Sequence, residues 1–372
     1  MPEQTVLVSN TGKVVWQGNG EAVRNPWGNF VVTDWTPAEP VQIVVSSEGK
    51  ILVEGQPGQQ LMQVTDSLIA LQQPQELWHL SVPGGKEYNF ERADTQPNGD
   101  VLLCGLQEGG SVRLNSKGEE VQRFSQNFLW ASSGLQGWYE SPNGDTIDLL
   151  DPHGKTVYTQ VQRMVGQGRA LVKQAKGYSV IQVEDGKKLY EGQENWRLYL
   201  DELQLEQQQQ GFLIQGQGED YWADLVNTWP YSGEAVYYMA RGKEVEALWS
   251  QKGEQLFVRP VSQWSEILDE DSVAGLSDGI LTVTDQHNKL QWKLEGCSTV
   301  WVEQGEQGAV LCVIQQDQPE KTHIYQQDGT AVVENLQAVY EVTPQGIACQ
   351  KDGENGVLDW QGNWIFRLKK DV

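Results

Sequence analysis

Residues 146–158, TIDLLDPHGKTVY, contain the pattern that decides the fold of this chain. An apolar-rich run leads into a polar turn ending in Gly154, a lysine follows, and a second run ends in an aromatic residue. Related phrases are QTVLVSNTGKVVW from Gln4, VQIVVSSEGKILV from Val41, SVRLNSKGEEVQRF from Ser111, YSVIQVEDGKKLY from Tyr178, LTVTDQHNKLQW from Leu281, THIYQQDGTAVV from Thr322 and GVLDWQGNWIF from Gly356. A phrase that recurs at this scale indicates one supersecondary unit copied along the chain.

The spacing of the turn residues sets the length of the repeat. From Gly12 to Gly186 the steps are 37, 36, 33, 36 and 32 residues, whereas the next step, to Gly242, is 56. This gap predicts longer loops or an insertion around residues 193–232. Within it, the stretch from Trp196 to Gln210 comes closest to helical periodicity, and its glutamine-rich end indicates a loop or a short helix.

The segments between the turns are five or six residues long, which is typical of antiparallel strands in a meander. An extended meander has to hide its edge strands, and radial closure into a propeller of four-stranded blades does so. We therefore expect an all-β fold, a single β-propeller over residues 1–372 with seven or eight blades. Pairing of the N-terminal strand with the C-terminal hairpin, GVLDWQGNWIFRL, would close the ring.

The phrase resembles the repeats of two groups of proteins. VSNTGKVVW, ending at Trp16, is similar to the turn and aliphatic–Trp pair of PQQ-type, quinoprotein-like propellers. GYSVIQVEDGKK from Gly177 and GVLDWQGNW from Gly356 are similar to the units of bacterial WG-repeat proteins, although the Trp27–Gly28 dipeptide does not begin a repeat. The resemblance implies a β-repeat architecture, and it implies no quinone site because no matching ring of residues is present.

The charge of the chain limits its partners. It carries 51 acidic and 27 basic residues, a formal net charge of −24. Such a surface repels phosphate backbones, so nucleic acids and anionic membranes are poor partners, whereas a basic protein would be attracted. We see no signal sequence, lipidation motif or membrane-spanning stretch, and the expected location is cytoplasmic.

Two groups of residues are candidates for binding a partner. Four tryptophans lie in polar, turn-rich segments, where an exposed indole can anchor a protein or stack on a sugar: Trp27, Trp35, Trp229 and Trp264. The densest acidic stretch, EILDEDSVAGLSDG, supplies Glu266, Asp269, Glu270 and Asp271. With Asp278 these acids offer oxygens to Ca²⁺ as an alternative, but their spacing is not that of an EF-hand, and we predict no metal site.

Other chemistry-bearing residues give little indication of catalysis. Cys104, Cys297, Cys312 and Cys349 form no CxxC pair, and three of them lie in strand-like runs, so we expect buried structural thiols. No nucleophile elbow, P-loop, HExxH or dinucleotide-binding pattern is present, so we predict neither catalytic residues nor a cofactor.

The sequence therefore favours a non-enzymatic scaffold that binds a basic protein through an acidic loop face, for example an adaptor or immunity-type protein. The alternative is a carbohydrate-binding or glycoside-cleaving propeller that uses loop tryptophans and paired acids. Two acid–aromatic neighbours of the kind such sites use are Asp34–Trp35 and Asp359–Trp360.

Overall fold

A computed structural model describes residues 4–9, 11–96, 98–131, 135, 137–230 and 235–368. The chain divides into two compact units, residues 1–161 and 162–372. The described residues form strands and turns and contain no helix. They give two-, four- and seven-stranded antiparallel sheets in which strands adjacent in the chain are paired.

The first unit begins with a two-stranded sheet, β1 (Gln4–Val8) and β2 (Val14–Asn19). Three four-stranded meanders follow. They comprise β3 (Glu21–Arg24), β4 (Phe30–Asp34), β5 (Val41–Val45) and β6 (Ile51–Glu54), then β7 (Gln60–Gln63), β8 (Ile69–Gln72), β9 (Trp78–Ser81) and β10 (Glu87–Phe90), and then β11 (Arg92–Thr95), β12 (Val101–Cys104), β13 (Ser111–Leu114) and β14 (Glu120–Phe124).

A seven-stranded sheet contains the position at which the chain divides. Its strands, paired in chain order, are β15 (Leu129–Trp130), β16 (Tyr139–Asn143), β17 (Thr146–Leu150), β18 (Thr156–Met164), β19 (Arg169–Gln174), β20 (Gly177–Gln182) and β21 (Lys188–Gly192). The long strand β18 serves as the fourth strand of one set of four and the first strand of the next.

The second unit continues with three four-stranded meanders and a final seven-stranded sheet. The meanders are β22 (Trp196–Tyr199), β23 (Gln204–Gln208), β24 (Gly211–Gln215) and β25 (Tyr221–Ala223); β26 (Leu225–Trp229), β27 (Tyr237–Arg241), β28 (Val245–Ser250) and β29 (Gln255–Pro260); and β30 (Trp264–Ile267), β31 (Ser272–Ser277), β32 (Ile280–Asp285) and β33 (Leu290–Glu295). The last sheet comprises β34 (Cys297–Gly305), β35 (Gly308–Gln315), β36 (Gln318–Gln326), β37 (Ala331–Thr343), β38 (Gly346–Lys351), β39 (Glu354–Leu358) and β40 (Trp364–Arg367).

Outside the two-stranded sheet of β1 and β2, the recurring phrase forms the turn between the third and fourth strand of a set. At Asp151, Oδ1 accepts hydrogen bonds from the backbone N–H groups of His153 and Lys155, both at 2.9 Å. Gly154 N donates to the Asp151 carbonyl at 2.8 Å, and Gly154 adopts φ = 78°, which favours glycine. We call this arrangement a capped turn. It recurs with Ser46, Asn115, Asp285 and Asp359 as the first residue.

The capped turns also account for the irregular spacing of the phrase. Gly242 does not belong to one, because it follows the second strand of its set, and the third-to-fourth turn of that set contains Gly253 instead. The preceding set, β22–β25, joins its third and fourth strands through residues 216–220, which lack the phrase. The 56-residue step therefore spans a regular four-stranded sheet. The loop or short helix predicted for Trp196 to Gln210 is wrong, since these residues form β22 and β23 and pair with each other.

The core lies between successive sheets within each unit. In the first unit Leu80 and Phe90 of one sheet pack with Leu103 and Val112 of the next, and all four are fully buried. In three sets, β11–β14, β30–β33 and β34–β37, the second strand is the most buried and the fourth is the most exposed. This gradient suits a meander whose outer strand faces water.

The structure confirms the all-β class, and its four-stranded antiparallel meanders are consistent with propeller blades. The four cysteines are buried, as expected of structural thiols. In the part of the chain that the structure describes, no helix has the length and hydrophobicity needed to span a bilayer. The prediction of one domain over residues 1–372, closed by its two ends, stays a prediction.

Candidate binding edge of the second unit

Each four-stranded meander has two ends, and they differ in the turns they carry. The first-to-second and third-to-fourth connections lie at one end, which we call the capped-turn edge. The second-to-third connection lies at the other, the opposite edge. Every functional candidate of the second unit can be assigned to one of these edges from its position in its strand.

Side chains hold neighbouring turns together along the capped-turn edge of the second unit. Tyr237 Oη lies 3.1 Å from Oε1 of Gln286, which belongs to the capped turn of the next sheet. The indole N–H of Trp292 donates to the carbonyl of Gln327 in the sheet after that. Such bonds between turns fix their relative positions, so the edge is a preorganised surface.

The structure brings Trp229 and the acidic stretch together through Tyr237. The rings of Trp229 and Tyr237 lie 6.3 Å apart, and both pack against the core cluster that contains Ile267. Residues 269–271, which we call the acidic turn, join β30 to β31 at the same edge. Burial raises the pKa of the Tyr237 hydroxyl, and the negative charges of this turn raise it further.

The acidic turn places three carboxylates next to one another. Among the described residues no ion pair is found for Asp269, Glu270 or Asp271. Asp269 has a structural task as well, because its Oδ1 accepts a hydrogen bond from the backbone N–H of Asp271 at 2.8 Å. Glu270 and Asp271 are exposed. Glu266 lies further back in β30, where burial raises its pKa.

Other predicted site residues do not join this group. Trp264 begins β30 at the opposite edge and packs into the core between two sheets. Trp27 and Trp35 belong to the first unit. Trp27 is half-buried in a loop whose Asn25 bonds to Gln63, and Trp35 is 64% exposed. The four tryptophans therefore do not form one set on either unit.

The structure also decides the calcium alternative. Asp278 follows β31, and the six residues of that strand separate it from Asp271. At about 3.3 Å per residue this amounts to roughly 20 Å, so Asp278 cannot share one ion with the acidic turn. Among the residues the structure describes, no group of three or more His, Cys, Asp or Glu side chains is placed to hold a metal.

A pocket that sequence reasoning missed lies further along the same edge. It has a volume of about 170 Å³ and lies where two connections of the last sheet meet Trp360. Its lining includes Glu306, Gln307, Gln326, Gln327, Asp328 and Trp360. We call it the Trp360 pocket. Asp359, the acid singled out beside Trp360, is instead engaged in a capped turn, where its Oδ1 accepts backbone N–H groups from Gln361 and Asn363.

Asp34, the other acid with an aromatic neighbour, is likewise engaged locally. Its Oδ1 accepts hydrogen bonds from the Thr36 hydroxyl at 2.6 Å and from the Thr36 backbone N–H at 2.8 Å. These bonds lower the pKa of the Asp34 carboxyl. The acid–aromatic neighbours in the sequence therefore mark turns, and the one signal for the pocket was Trp360 itself.

Comparison with known proteins leaves the family open. No protein-family model matches the chain, and no curated protein matches its sequence. Among solved structures, a eukaryotic initiation factor is 11% identical, with a TM-score of 0.37, covering 90% of this chain and 96% of that chain. The computationally designed Ika8 protein is 12% identical, with a TM-score of 0.34, and the match covers 96% of this chain and 99% of that one.

Dihydro-heme d1 dehydrogenase NirN in complex with DHE is a third similar structure. It is 13% identical, with a TM-score of 0.30, and the match covers 89% of this chain and 77% of that chain. At TM-scores of this size the similarities carry no argument about this chain. The description of the fold rests on the sheets themselves.

Proposed function

We propose that this chain is a non-enzymatic scaffold that binds a basic protein, and that the acidic turn with Trp229 and Tyr237 is its docking surface. The observation that supports this proposal is the placement of three carboxylates beside two aromatic rings on a preorganised edge, with no ion pair found for them in the part of the chain that the structure describes. An adaptor or an immunity-type protein that blocks a basic target is the concrete form of such a scaffold.

The charges and the rings have different tasks in this proposal. The acidic turn and the net charge of −24 steer a basic partner towards the surface and raise the rate of association, an effect that salt weakens. Aromatic side chains that keep a rigid position supply the contact area that typically dominates binding energy. Trp229 and Tyr237 are both partly buried, which limits the entropy lost when a partner packs on them.

The test is capture of a partner from a lysate of the source organism, with the wild-type chain and two variants compared. The first variant, Asp269→Asn/Glu270→Gln/Asp271→Asn, removes three charges and keeps the hydrogen-bond acceptor at residue 269. The matched control is Asp278→Asn/Asp317→Asn/Asp352→Asn. It removes three charges from exposed second-to-third turns at the opposite edge, and asparagine tolerates the positive φ of Asp278 and Asp352.

We expect the wild type and the control to retain one basic protein that high salt releases, and the acidic-turn variant to retain much less of it. Equal retention by both variants would refute the assignment to the acidic turn. Retention of a neutral or acidic protein that resists salt would refute the electrostatic argument altogether.

We further propose that the meanders are blades of a propeller. The order of the strands supports this, as does the burial gradient of the three sets that show it. The described residues contain ten sets of four strands when β18 and β37 are each counted in two sets, more than the seven or eight blades expected from the sequence. The blade number, the resemblance to WG-repeat and quinoprotein-like propellers and the cytoplasmic location stay predictions. An experimental structure would count the blades directly.

A further inference from the structure

We propose that the Trp360 pocket binds one ring of a neutral carbohydrate, as a site separate from the acidic turn. The proposal goes beyond the protein-binding function and does not depend on it. It rests on three properties of the pocket: a fixed aromatic wall, a rim of amide and carboxylate groups, and a small volume.

The aromatic wall is held in place by its neighbours. The indole N–H of Trp360 donates to the carbonyl of Pro344 at 3.1 Å. The edge of the ring packs against Gly305, where a Cβ would lie 2.7 Å from Cη2 of the indole. This close approach needs the glycine. Because the ring is fixed before a ligand arrives, stacking on its face costs little side-chain entropy.

The rim offers hydrogen bonds of both directions. Gln307, Gln326 and Gln327 supply amide groups, each of which can donate and accept, and Glu306 and Asp328 supply acceptors. No hydrogen bond or ion pair is found for the Glu306 and Gln307 side chains among the described residues, and both are exposed. A sugar hydroxyl also donates and accepts, so it can pair with each of these groups. An ammonium group only donates and would leave the amide N–H groups without partners.

The volume favours a small ligand. About 170 Å³ is well below the range of roughly 300–1,000 Å³ that is usual for pockets holding drug-sized molecules. A single sugar ring or one end of a glycan is the size of ligand that such a space accepts, with the rest of the chain in solvent.

Asp328 is suited to accepting a hydrogen bond rather than to protonating a leaving group. Hydrogen bonds from the backbone N–H and the side chain of Thr330 lower the pKa of the Asp328 carboxyl, and the backbone N–H contributes the larger part. Glycoside hydrolysis needs one carboxylic acid that stays protonated to donate to the leaving group, and its pKa is therefore raised. Asp328 has the opposite shift, so its task in the pocket is to accept a hydrogen bond from the sugar.

The test is saturation-transfer NMR with a panel of methyl glycosides (glucoside, galactoside, mannoside and N-acetylglucosaminide), each at about 10 mM to detect millimolar affinity. We expect transfer to the ring protons of at least one sugar. Glu306→Ala/Gln307→Ala should weaken binding about tenfold, because it removes two hydrogen-bonding groups. The matched control, Asp317→Ala/Glu320→Ala, changes exposed residues at the opposite edge of the same sheet and should bind like the wild type.

The acidic-turn variant separates this proposal from the protein-binding one. Because the ligand is neutral, we expect Asp269→Asn/Glu270→Gln/Asp271→Asn to bind the sugar as the wild type does, and added salt to have little effect. The absence of transfer to every sugar would overturn the proposal. So would equal binding by the Glu306/Gln307 variant, or displacement of the sugar by N-acetyl-lysine amide at equal concentration, which would assign the pocket to cations.

Discussion

The buried carboxylate of Glu246 provides the sharpest test of the packing between sheets. Glu246 is fully buried, and its Oε1 accepts hydrogen bonds from Arg259 Nε and the Ser262 hydroxyl, both at 2.8 Å. Its Oε2 accepts from the Ser265 hydroxyl at 2.9 Å and lies 3.4 Å from Arg241 Nε. All four partners are donors: three donate hydrogen bonds to this buried carboxylate, and Arg241 forms an ion pair with it.

We predict that Glu246→Gln lowers the free energy of unfolding of the second unit by about 3 kcal/mol, at the lower end of the roughly 3–5 kcal/mol lost when a buried ion pair is broken. The glutamine keeps the shape of the side chain. However, it removes the negative charge beside Arg259, which is only 8% exposed, and it turns an N–H₂ donor towards groups that are themselves donors. The loss in the free energy of unfolding therefore comes from a buried guanidinium without a counter-charge rather than from a cavity.

Urea unfolding at neutral pH, followed by both fluorescence and circular dichroism, measures this loss. The control is Glu244→Gln, an exposed acid two residues away, which should change the free energy of unfolding by less than about 0.5 kcal/mol. Adding Arg259→Met to Glu246→Gln should cost little more than Glu246→Gln alone, because the guanidinium is no longer stranded. A Glu246→Gln variant as stable as the control would refute the reasoning.

Three further predictions concern other parts of the chain. Hydrogen bonding to Arg123 is the main cause that lowers the pKa of Glu120 to about 2. The stabilisation by the Glu120 carboxylate is therefore complete above the unfolded-state pKa near 4.5 and is lost as the pH falls towards 2. In urea titrations Glu120→Gln should destabilise the protein more at pH 6 than at pH 3, and an equal loss at both pH values would contradict this. Burial raises the pKa of the Cys312 thiol to about 12, so iodoacetamide at pH 8 should label this thiol only after the protein unfolds, as detected by mass spectrometry. Rapid labelling of the native protein would show that the strand opens. Gly253 and Gly353 share φ = 77°, but a Cβ at Gly253 would lie 1.8 Å from a carbonyl oxygen of the neighbouring sheet, whereas one at Gly353 meets nothing within 4 Å. Gly253→Ala should therefore cost about 1–3 kcal/mol more than Gly353→Ala in the same unfolding assay, and equal costs would mean that the sheets separate easily.

The recurring phrase allowed the class of the fold to be predicted because it encodes its turn locally. In a capped turn the first residue and the glycine make the geometry with bonds that span five residues, so a short pattern is sufficient, as at Asp151 and Gly154. The sheet β22–β25 could not be recognised in this way because its third-to-fourth connection has other residues, and the gap resembled an insertion. Strand pairing between neighbours in the chain made the sheet without the phrase.

The candidate site was predictable only in part, since it depends on contacts between sheets. The acidic turn was visible as a run of charges, and Trp229 as an aromatic residue in a polar segment. Their proximity depends on Tyr237, about which the sequence gave no indication. That Trp264 lies at the start of a strand, and hence at the opposite edge from the acidic turn, follows from where β30 begins, which the sequence did not indicate.

The capped turns have a consequence for how this protein can change. Within each turn the first residue and the residue with positive φ set the backbone, while exposed side chains between them, such as Pro152 and His153, extend into solvent and take no part in the geometry. Gln286 and Trp360 are exceptions, because they contact Tyr237 and Pro344. Replacing those exposed side chains should leave the backbone structure of each hairpin unchanged. The exposed turn residues can thus vary while the sheets stay the same, and new recognition properties can be introduced at the turns without redesigning the sheets that carry them.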